Sequence, residues 1–290
     1  MEDEQKCEEL VRDICSACGI ASPGKRIYPG SRILYETSQN RIVKVFPKEE
    51  PSFCRNESGY LKLLQGKLGG VTPELLEIGE FDGYPFLVMK RVSGLPLTAA
   101  WTEFREKDKK RFLRNLALLL NELHSLPPEL APCGDIQWCD FIRNQLDRLE
   151  SNHRKYGLEG EWTDRICRFI EKGEAVEFIS RKVICHTELM REHLFVSGCG
   201  NNIRISGLID FEPSMVAVPE YDFCSVGLFI SAGEKGLFRY FLKCYGYDGK
   251  SEGIMRMLLL HRYSNMKRFI STIPVAVESD SIENLCRYWY

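Results

Sequence analysis

The residues best suited to chemistry lie in two neighbouring stretches of the chain, each at the end of a short apolar run. His186, Glu188 and His193 form the first cluster, and Asp210 ends the second run. Short apolar runs broken by polar clusters favour strands, and loops carried by strands often hold functional groups. Two carboxylates from neighbouring strand ends suit Mg²⁺ or can accept a hydroxyl proton, although two solvated loop acids would fit the same spacing.

Two halves of different character must position these groups. Before residue 93 the pattern predicts short strands with one or two helices, and after the turn residues 93–96 it predicts mainly helices. The predicted segments that matter below are strands 41–46 and 85–92, and helices 51–65, 106–126, 136–149, 221–231 and 253–272. We therefore predict an α+β fold with a small β-rich N-terminal lobe, 1–92, and a larger, mainly helical C-terminal lobe, 93–290.

The composition is that of an ordinary globular protein and excludes several classes of partner. The chain has 290 residues, of which 44% are hydrophobic and 28% charged, with a formal net charge of -2. This balance gives no basic face for nucleic acid or an acidic membrane. No apolar run approaches the roughly 18 residues of a membrane span, and the acidic start does not resemble a signal peptide. We expect a cytoplasmic protein without a nucleic-acid or membrane partner, whose oligomeric state stays open.

The twelve cysteines predict reduced thiols rather than a disulfide framework, because they are scattered through a chain of ordinary size. Cys15 and Cys18 form a Cys-x-x-Cys pair that could be half of a zinc site. Both also follow helical spacing with apolar neighbours, and no second pair follows. Packing as small hydrophobic residues is the favoured interpretation.

The order of the parts resembles that of protein-kinase-like phosphotransferases. Lys44 lies inside an apolar strand, a helix containing Glu57 follows, and the polar loop and an Ile-Asp-Phe sequence come after a linker. The chain is similar to the aminoglycoside phosphotransferase family, most of all to its hygromycin B phosphotransferase branch, from Gly30 to about Ser231. The resemblance implies a bilobal protein-kinase-like fold.

Two loops and the interval between them carry this resemblance. The family's catalytic loop reads His-Gly-Asp-Leu with Asn five residues after the Asp, and His186-Thr187-Glu188-Leu189 aligns with it without a gap, with His193 at the Asn position. The metal loop of the family is matched by Ile209-Asp210-Phe211. Tyr221-Asp222 begins eleven residues after Asp210, which is the family's interval.

The resemblance implies an enzyme that transfers the γ-phosphate of ATP or GTP to a hydroxyl of a small molecule. Asp210 and His193 would hold Mg²⁺, or Mn²⁺ in view of the imidazole. Glu188 would orient or accept the proton of the substrate hydroxyl. His186 would support the catalytic loop, and Asp222 would anchor its backbone.

Nucleotide contacts follow from the same resemblance. Lys44 would pair with the α and β phosphates and would be held by Glu57. The other predicted contacts are Gly30 and Ser31 in the nucleotide loop and Met89, Lys90 and Val92 in the hinge that reads the base through its backbone.

The chain departs from the family at positions to which the resemblance assigns catalysis and metal binding. Glu188 in place of Asp moves the carboxylate by about one ångström, and a misplacement of this size can cost on the order of a hundredfold in rate. His193 replaces an amide oxygen with imidazole, which favours softer metals. Glu212 and Pro213 stand where the family has Gly, so Glu212 either adds a metal ligand or the pair makes the turn rigid.

Other functions therefore stay open. A catalytically impaired pseudokinase could bind nucleotide or a protein partner. A transition-metal enzyme could use His186, Glu188 and His193, and a zinc deaminase fits less well because no Pro-Cys-x-x-Cys follows.

For the acceptor of a phosphotransferase we expect an aminoglycoside or another amino sugar first. A polycation of this kind needs an acidic pocket. Candidate acids for that pocket are Asp135, Asp140, Glu220 and Glu252.

Overall fold

The N-terminal half of the computed structural model is built on an antiparallel sheet with the strand order β1-β2-β3-β5-β4. The structure describes residues 4–21, 23–27, 32–132, 137–173, 181–272 and 281–289. The strands of this sheet are β1 (Lys25–Arg26), β2 (Ile33–Glu36), β3 (Arg41–Val45), β4 (Leu75–Phe81) and β5 (Tyr84–Lys90). Helices α1 (Glu4–Ala17) and α2 (Pro51–Leu64) flank the sheet.

Alternation along β3 decides where its lysine points. Val43 and Val45 are buried in an apolar cluster with Val11 and Ile14 of α1. Because successive side chains of a strand point to opposite faces, Lys44 lies on the other face of the sheet, toward α2 and the C-terminal half. The cluster with α1 also contains Cys15, which packs as a small apolar residue.

The linker after β5 is attached to a small sheet of the C-terminal half. Strand β6 (Leu95–Pro96) pairs with β8 (Leu194–Ser197), which pairs with β9 (Arg204–Leu208). Gly94 has φ +102, and a Cβ there would lie 2.4 Å from the carbonyl oxygen of Val196. Only glycine fits this close approach of two backbones. A second pair, β7 (Val183–Cys185) with β10 (Met215–Ala217), carries the first polar loop.

Helices form the rest of the C-terminal half around one large apolar cluster. They are α3 (Leu97–Glu103), α4 (Glu106–Ser125), α5 (Trp138–Asp147), α6 (Leu149–Lys155), α7 (Gly160–Glu171), α8 (Pro219–Ser225), α9 (Lys235–Tyr245), α10 (Ser251–Leu259), α11 (Met266–Thr272) and α12 (Ile282–Trp289). Within the described ranges, no helix is both long enough and apolar enough to cross a bilayer.

The predicted α+β, bilobal arrangement is confirmed. The boundary between residues 92 and 93 stays a prediction, and it falls in the linker that joins Lys90 at the end of β5 to Leu95 at the start of β6.

The prediction of one continuous helix over residues 253–272 is wrong. Helix α10 ends at Leu259 and α11 begins at Met266. The side chain of Asn265 accepts a hydrogen bond from the Arg268 amide at 3.0 Å, which caps the new helix start. The intervening turn, residues 260–265, is thereby free to approach the catalytic loop. The predicted helix 136–149 is likewise divided, because α5 ends at Asp147 and α6 starts at Leu149.

Candidate active site

Three of the predicted site residues meet at the ends of β7 and β9. Ligand atoms of Glu188, His193 and Asp210 all lie within 4.8 Å of one another. His193 Nδ1 donates to the backbone carbonyl of Glu188 at 2.8 Å, and its Nε2 lies 3.3 Å from Asp210 Oδ2. This arrangement fixes the ring so that Nδ1 carries a proton and Nε2 faces Asp210.

The backbone of the catalytic loop is held by Asp222, which projects from α8. The amides of His186 and Thr187 donate to the two carboxylate oxygens of Asp222 at 3.0 and 2.7 Å. His124 Nε2, on α4, lies 3.0 Å from the same carboxylate, and Tyr245 Oη lies 2.9 Å from His124 Nδ1. These donors compensate a carboxylate that is completely buried.

Thr187 occupies a conformation that a β-branched residue rarely adopts. Its φ is +70, which is the left-handed region that favours glycine. The Thr187 hydroxyl donates to the Pro213 carbonyl at 2.9 Å, while its amide donates to Asp222. Contacts on both sides of the residue thus hold a strained backbone at the point where the family has Gly.

His186 connects the catalytic loop to the metal loop. Its Nε2 donates to the Ile209 carbonyl at 2.9 Å, and its Nδ1 accepts the Glu188 amide at 3.3 Å. Burial and the neighbouring His193 lower the pKa of His186 to about 4. The ring is therefore neutral at pH 7. It positions Glu188 and Asp210 through its hydrogen bonds to the backbone of Glu188 and of Ile209.

The Glu188 carboxylate is fixed by two side chains that the sequence analysis did not single out. Arg262 Nη1 and Tyr263 Oη donate to Glu188 Oε1 at 3.1 and 2.9 Å. Burial raises the pKa of Glu188, and Arg262 and Tyr263 offset part of that rise. Both residues belong to the turn between α10 and α11, and the helix-capping residue Asn265 was the signal that could have revealed it.

Lys44 lies at the centre of a group of carboxylates from both lobes. Its Nζ is 2.7 Å from Glu57, 2.7 Å from Asp210 and 3.1 Å from Glu212. Burial opposes the charge on Lys44, but these three carboxylates raise its pKa above the ordinary value.

The two carboxylates nearest Lys44 titrate in opposite directions. Burial raises the pKa of Glu57 to about 7 even though Lys44 stabilises its charge. Burial also acts to raise the pKa of Asp210, but Lys44 and His193 outweigh it and lower that pKa to about 2. Asp210 therefore keeps its charge more firmly than Glu57 does.

Glu212 joins the two lobes. Arg32 Nε and Nη2 donate to its carboxylate at 3.0 to 3.2 Å, and Arg32 also pairs with Glu50. Asn56 Nδ2 on α2 donates to the backbone carbonyl of Glu212 at 2.8 Å. From the sequence, Glu212 is either a metal ligand or part of a rigid turn. In the structure it forms ion pairs with both Lys44 and Arg32. We call the connected side chains the ion cluster: Arg32, Lys44, Glu50, Glu57, Asp210 and Glu212.

The ion cluster holds an excess of negative charge. Four carboxylates share two cations, so with every group ionised two negative charges are uncompensated. Oxygen atoms of Glu57, Asp210 and Glu212 lie within 4.8 Å of one another. Clustered carboxylate oxygens and an unbalanced charge fit a divalent cation such as Mg²⁺, and the nitrogen of His193 beside them also suits Mn²⁺.

For the other predicted nucleotide contacts, the structure shows no hydrogen bond or ion pair to the catalytic or metal loop among the described residues. Gly30 and Ser31 lie outside the described residues. Met89 is buried, and the amide of Lys90 donates to the Glu74 carbonyl at 2.9 Å, so this amide is engaged within the sheet. Val92 packs against Gly207 of β9, where a Cβ would lie 2.8 Å from it.

Each of the three described acids that were proposed for an acceptor pocket contacts a neighbouring side chain. Asp140 pairs with Arg143 at 2.9 Å, Glu220 accepts the Tyr247 hydroxyl, and Glu252 accepts the Ser251 hydroxyl. Asp135 lies outside the described residues.

Solved structures with the same fold are aminoglycoside phosphotransferases. The GDP and kanamycin complex of APH(2")-IIia is 18% identical, with a TM-score of 0.70 over 88% of this chain and 91% of that chain. The GDP complex of aminoglycoside 2'-phosphotransferase-IIIa is 19% identical, with a TM-score of 0.70 over 93% and 97%. APH(3'')-Id from Streptomyces rimosus ATCC10970 is 17% identical, with a TM-score of 0.67 over 90% and 98%.

The sequence of the chain also matches a model of a protein family. No curated protein sequence matches the chain. The model described as the phosphotransferase enzyme family matches residues 31–253, which include both lobes and both loops of the site. The predicted resemblance is thereby confirmed, whereas the hygromycin branch stays a prediction. Because the match covers most of its length, the chain belongs to the phosphotransferase enzyme family.

Proposed function

We propose that this phosphotransferase moves the γ-phosphate of ATP or GTP to a hydroxyl of a small molecule, with Mg²⁺ or Mn²⁺, in the cytoplasm. One observation carries the proposal: Lys44 of the N-terminal sheet lies 2.7 Å from Asp210 at the end of β9. A fixed cation beside a carboxylate that keeps its charge is the pair needed to hold nucleotide phosphates and their metal.

Glu188 is the group for the acceptor hydroxyl. Arg262 and Tyr263 hold its Oε1, so among the described side chains Oε2 is the oxygen left for a substrate proton. Two donors on one oxygen fix the longer side chain in one position. This fixation offsets the freedom that the extra methylene of Glu would add, and placement matters because about one ångström costs on the order of a hundredfold in rate.

Asp210 and His193 are the residues that would hold the metal, with Glu212 as a third candidate ligand. A divalent cation supplies charge stabilisation to the transferring phosphoryl group. Lys44, held between Glu57 and Asp210, orients the phosphates from the opposite lobe. His186 and Asp222 keep the catalytic loop in place through the backbone.

An aminoglycoside or another amino sugar is the first acceptor to test. Support comes from the fold, which is shared with a protein whose solved complex contains kanamycin. The hinge residues Met89, Lys90 and Val92 and the loop residues Gly30 and Ser31 complete the proposed nucleotide site.

Nucleotide binding and ATP consumption test the proposal together. ATP and GTP are titrated with and without Mg²⁺ or Mn²⁺, and hydroxylated metabolites and antibiotics are then screened for acceptor-dependent loss of nucleotide. Turnover with at least one acceptor is expected. Nucleotide binding without turnover of any acceptor would instead identify a catalytically impaired pseudokinase.

The metal assignment predicts that Asp210→Asn abolishes turnover, by a factor of about 10³ or more, because the amide cannot supply the anionic oxygen that a hard cation requires. The measurement is kcat with the best acceptor from the screen. Asp164→Asn, an exposed acid on α7, is the matched control and should behave as the unmodified protein. Retained activity in Asp210→Asn would refute the assignment.

A further inference from the structure

A cavity lies behind the catalytic loop, between α6 and the turn that joins α10 to α11. Its volume is about 100 Å³, which is room for several water molecules or for one tetrahedral oxyanion, since one water needs only about 10–15 Å³ on this measure. The residues that line it include Lys155, Tyr156, Arg262 and Ser264.

The charged groups of this lining are of one sign. Lys155 and Arg262 are cationic, and no carboxylate occurs among the described residues that form the wall. Lys155 and Tyr156 are exposed and mark the side that faces solvent. Positive charge around an enclosed polar space attracts an anion.

Two donors in the wall lack a partner. Arg262 Nε and Ser264 Oγ are buried and have no hydrogen-bond partner within the part of the chain that the structure describes. Ser264 is only 6% exposed, so bulk solvent does not reach it freely. Buried donors without partners are costly and need an explanation. Water would satisfy the donors, whereas an oxyanion would satisfy the donors and also balance the charge of Lys155, since Arg262 is already paired with Glu188.

We propose that this cavity binds a small oxyanion, a phosphate or carboxylate group, either as the free ion or as part of a hydroxyl-bearing small molecule. Lys155 stands at the entrance, and Arg262 and Ser264 contact the anion inside. The proposal goes beyond phosphotransfer at Glu188 and does not rest on it, because the anion can be measured without nucleotide, metal or turnover.

Arg262 connects this site to the catalytic loop. Arg262 lines the cavity, and its Nη1 donates to Glu188 Oε1 at 3.1 Å. An anion in the cavity and the Glu188 carboxylate therefore compete for one cation. By linkage, removal of the Glu188 charge must tighten anion binding.

The test is a calorimetric titration of the intact chain with inorganic phosphate, in the absence of nucleotide and metal. We expect saturable binding at one site. Lys155→Gln should weaken it about tenfold through loss of a charge-assisted hydrogen bond, and Ser264→Ala should weaken it several-fold through loss of one donor. Glu188→Gln should tighten it several-fold.

Lys110→Gln is the matched control, because it removes one positive charge from the exposed face of α4, away from the cavity. Glucose 6-phosphate is titrated in parallel. Tighter binding than inorganic phosphate assigns the anion to a substrate-like molecule, and equal binding assigns it to the free ion. Absence of saturable phosphate binding, or equal affinities for Lys155→Gln, Ser264→Ala and Lys110→Gln, would overturn the proposal.

Discussion

At the scale of single residues, the carboxylate that would accept the substrate proton is controlled by its neighbours in space rather than in sequence. Glu188 is 7% exposed, and burial raises its pKa. Arg262 acts in the opposite direction by stabilising the charged form. The balance between these two effects sets the pH at which the group can work as a base.

This balance predicts a pH dependence. Glu188 accepts a proton only when ionised, so activity should fall as the pH drops through its raised pKa, above the range of an ordinary glutamate. Arg262→Gln removes a positive neighbour and should move the acidic limb of the kcat/KM profile to higher pH. Arg268→Gln on α11 is the control. An acidic limb that stays in place, or moves to lower pH, would contradict the role given to Arg262.

At the scale of elements, the short turn between α10 and α11 decides whether Arg262 and Tyr263 reach the site. The buried residues Ile254, Met255, Leu258 and Leu259 of α10 continue a helical pattern. That pattern outweighed the single capping residue Asn265 in the sequence, which is why one long helix was predicted. A cap of one side chain is a weak signal beside a periodic run of apolar residues.

The cap itself is testable. Asn265→Ala removes the acceptor for the Arg268 amide and should lower the free energy of unfolding by about 1 kcal/mol, as measured by urea denaturation. Activity should fall as well, because the turn that carries Arg262 loses its fixed end. Asn265→Ser retains a capping oxygen and should stay close to the unmodified protein. Equal stabilities of the two variants would show that the cap contributes little.

The sequence predicted the elements that carry the site and missed several contacts between them. The roles that bring Lys44, Glu57 and Asp210 together were predicted from the resemblance to the phosphotransferase family, which the order of the parts along the chain suggested. The pairing of Arg32 with Glu212 joins residues 180 positions apart and depends on how the lobes pack. The positive φ of Thr187 is a backbone choice that residue type argues against.

At the scale of the whole molecule, the ion cluster is a contact between lobes at the place where nucleotide phosphates would bind. Glu212 lies 3.1 Å from Lys44 and pairs with Arg32 through two nitrogens. The protein thus holds a carboxylate where a phosphate is expected. If nucleotide phosphates bind Lys44 as proposed, they displace this carboxylate from at least one of the two cations.

Displacement predicts that Glu212→Gln strengthens binding of metal-free ATP by about tenfold, since one competing charge near Lys44 disappears. The measurement is a nucleotide titration in the presence of a chelator. Asp82→Asn is the control, because Asp82 is an acid of the N-terminal lobe that is 77% exposed and pairs with Lys48, outside the ion cluster. Unchanged or weaker ATP binding by Glu212→Gln would show that Glu212 does not compete with phosphate.

The attachment of the linker at Gly94 has a mechanical consequence. Strand β6 ties the linker to the sheet of β8 and β9, so the linker itself can bend only in the few residues between Lys90 and Leu95. The ion cluster is a second connection between the two lobes, because Lys44 of one lobe pairs with Asp210 and Glu212 of the other. The backbone hydrogen bonds of the linker are insensitive to salt, whereas salt weakens the partly exposed pair of Arg32 with Glu50 and, to a smaller extent, the buried pairs of Lys44. A higher ionic strength should therefore make the lobes separate more often, without changing the linker residues about which they rotate.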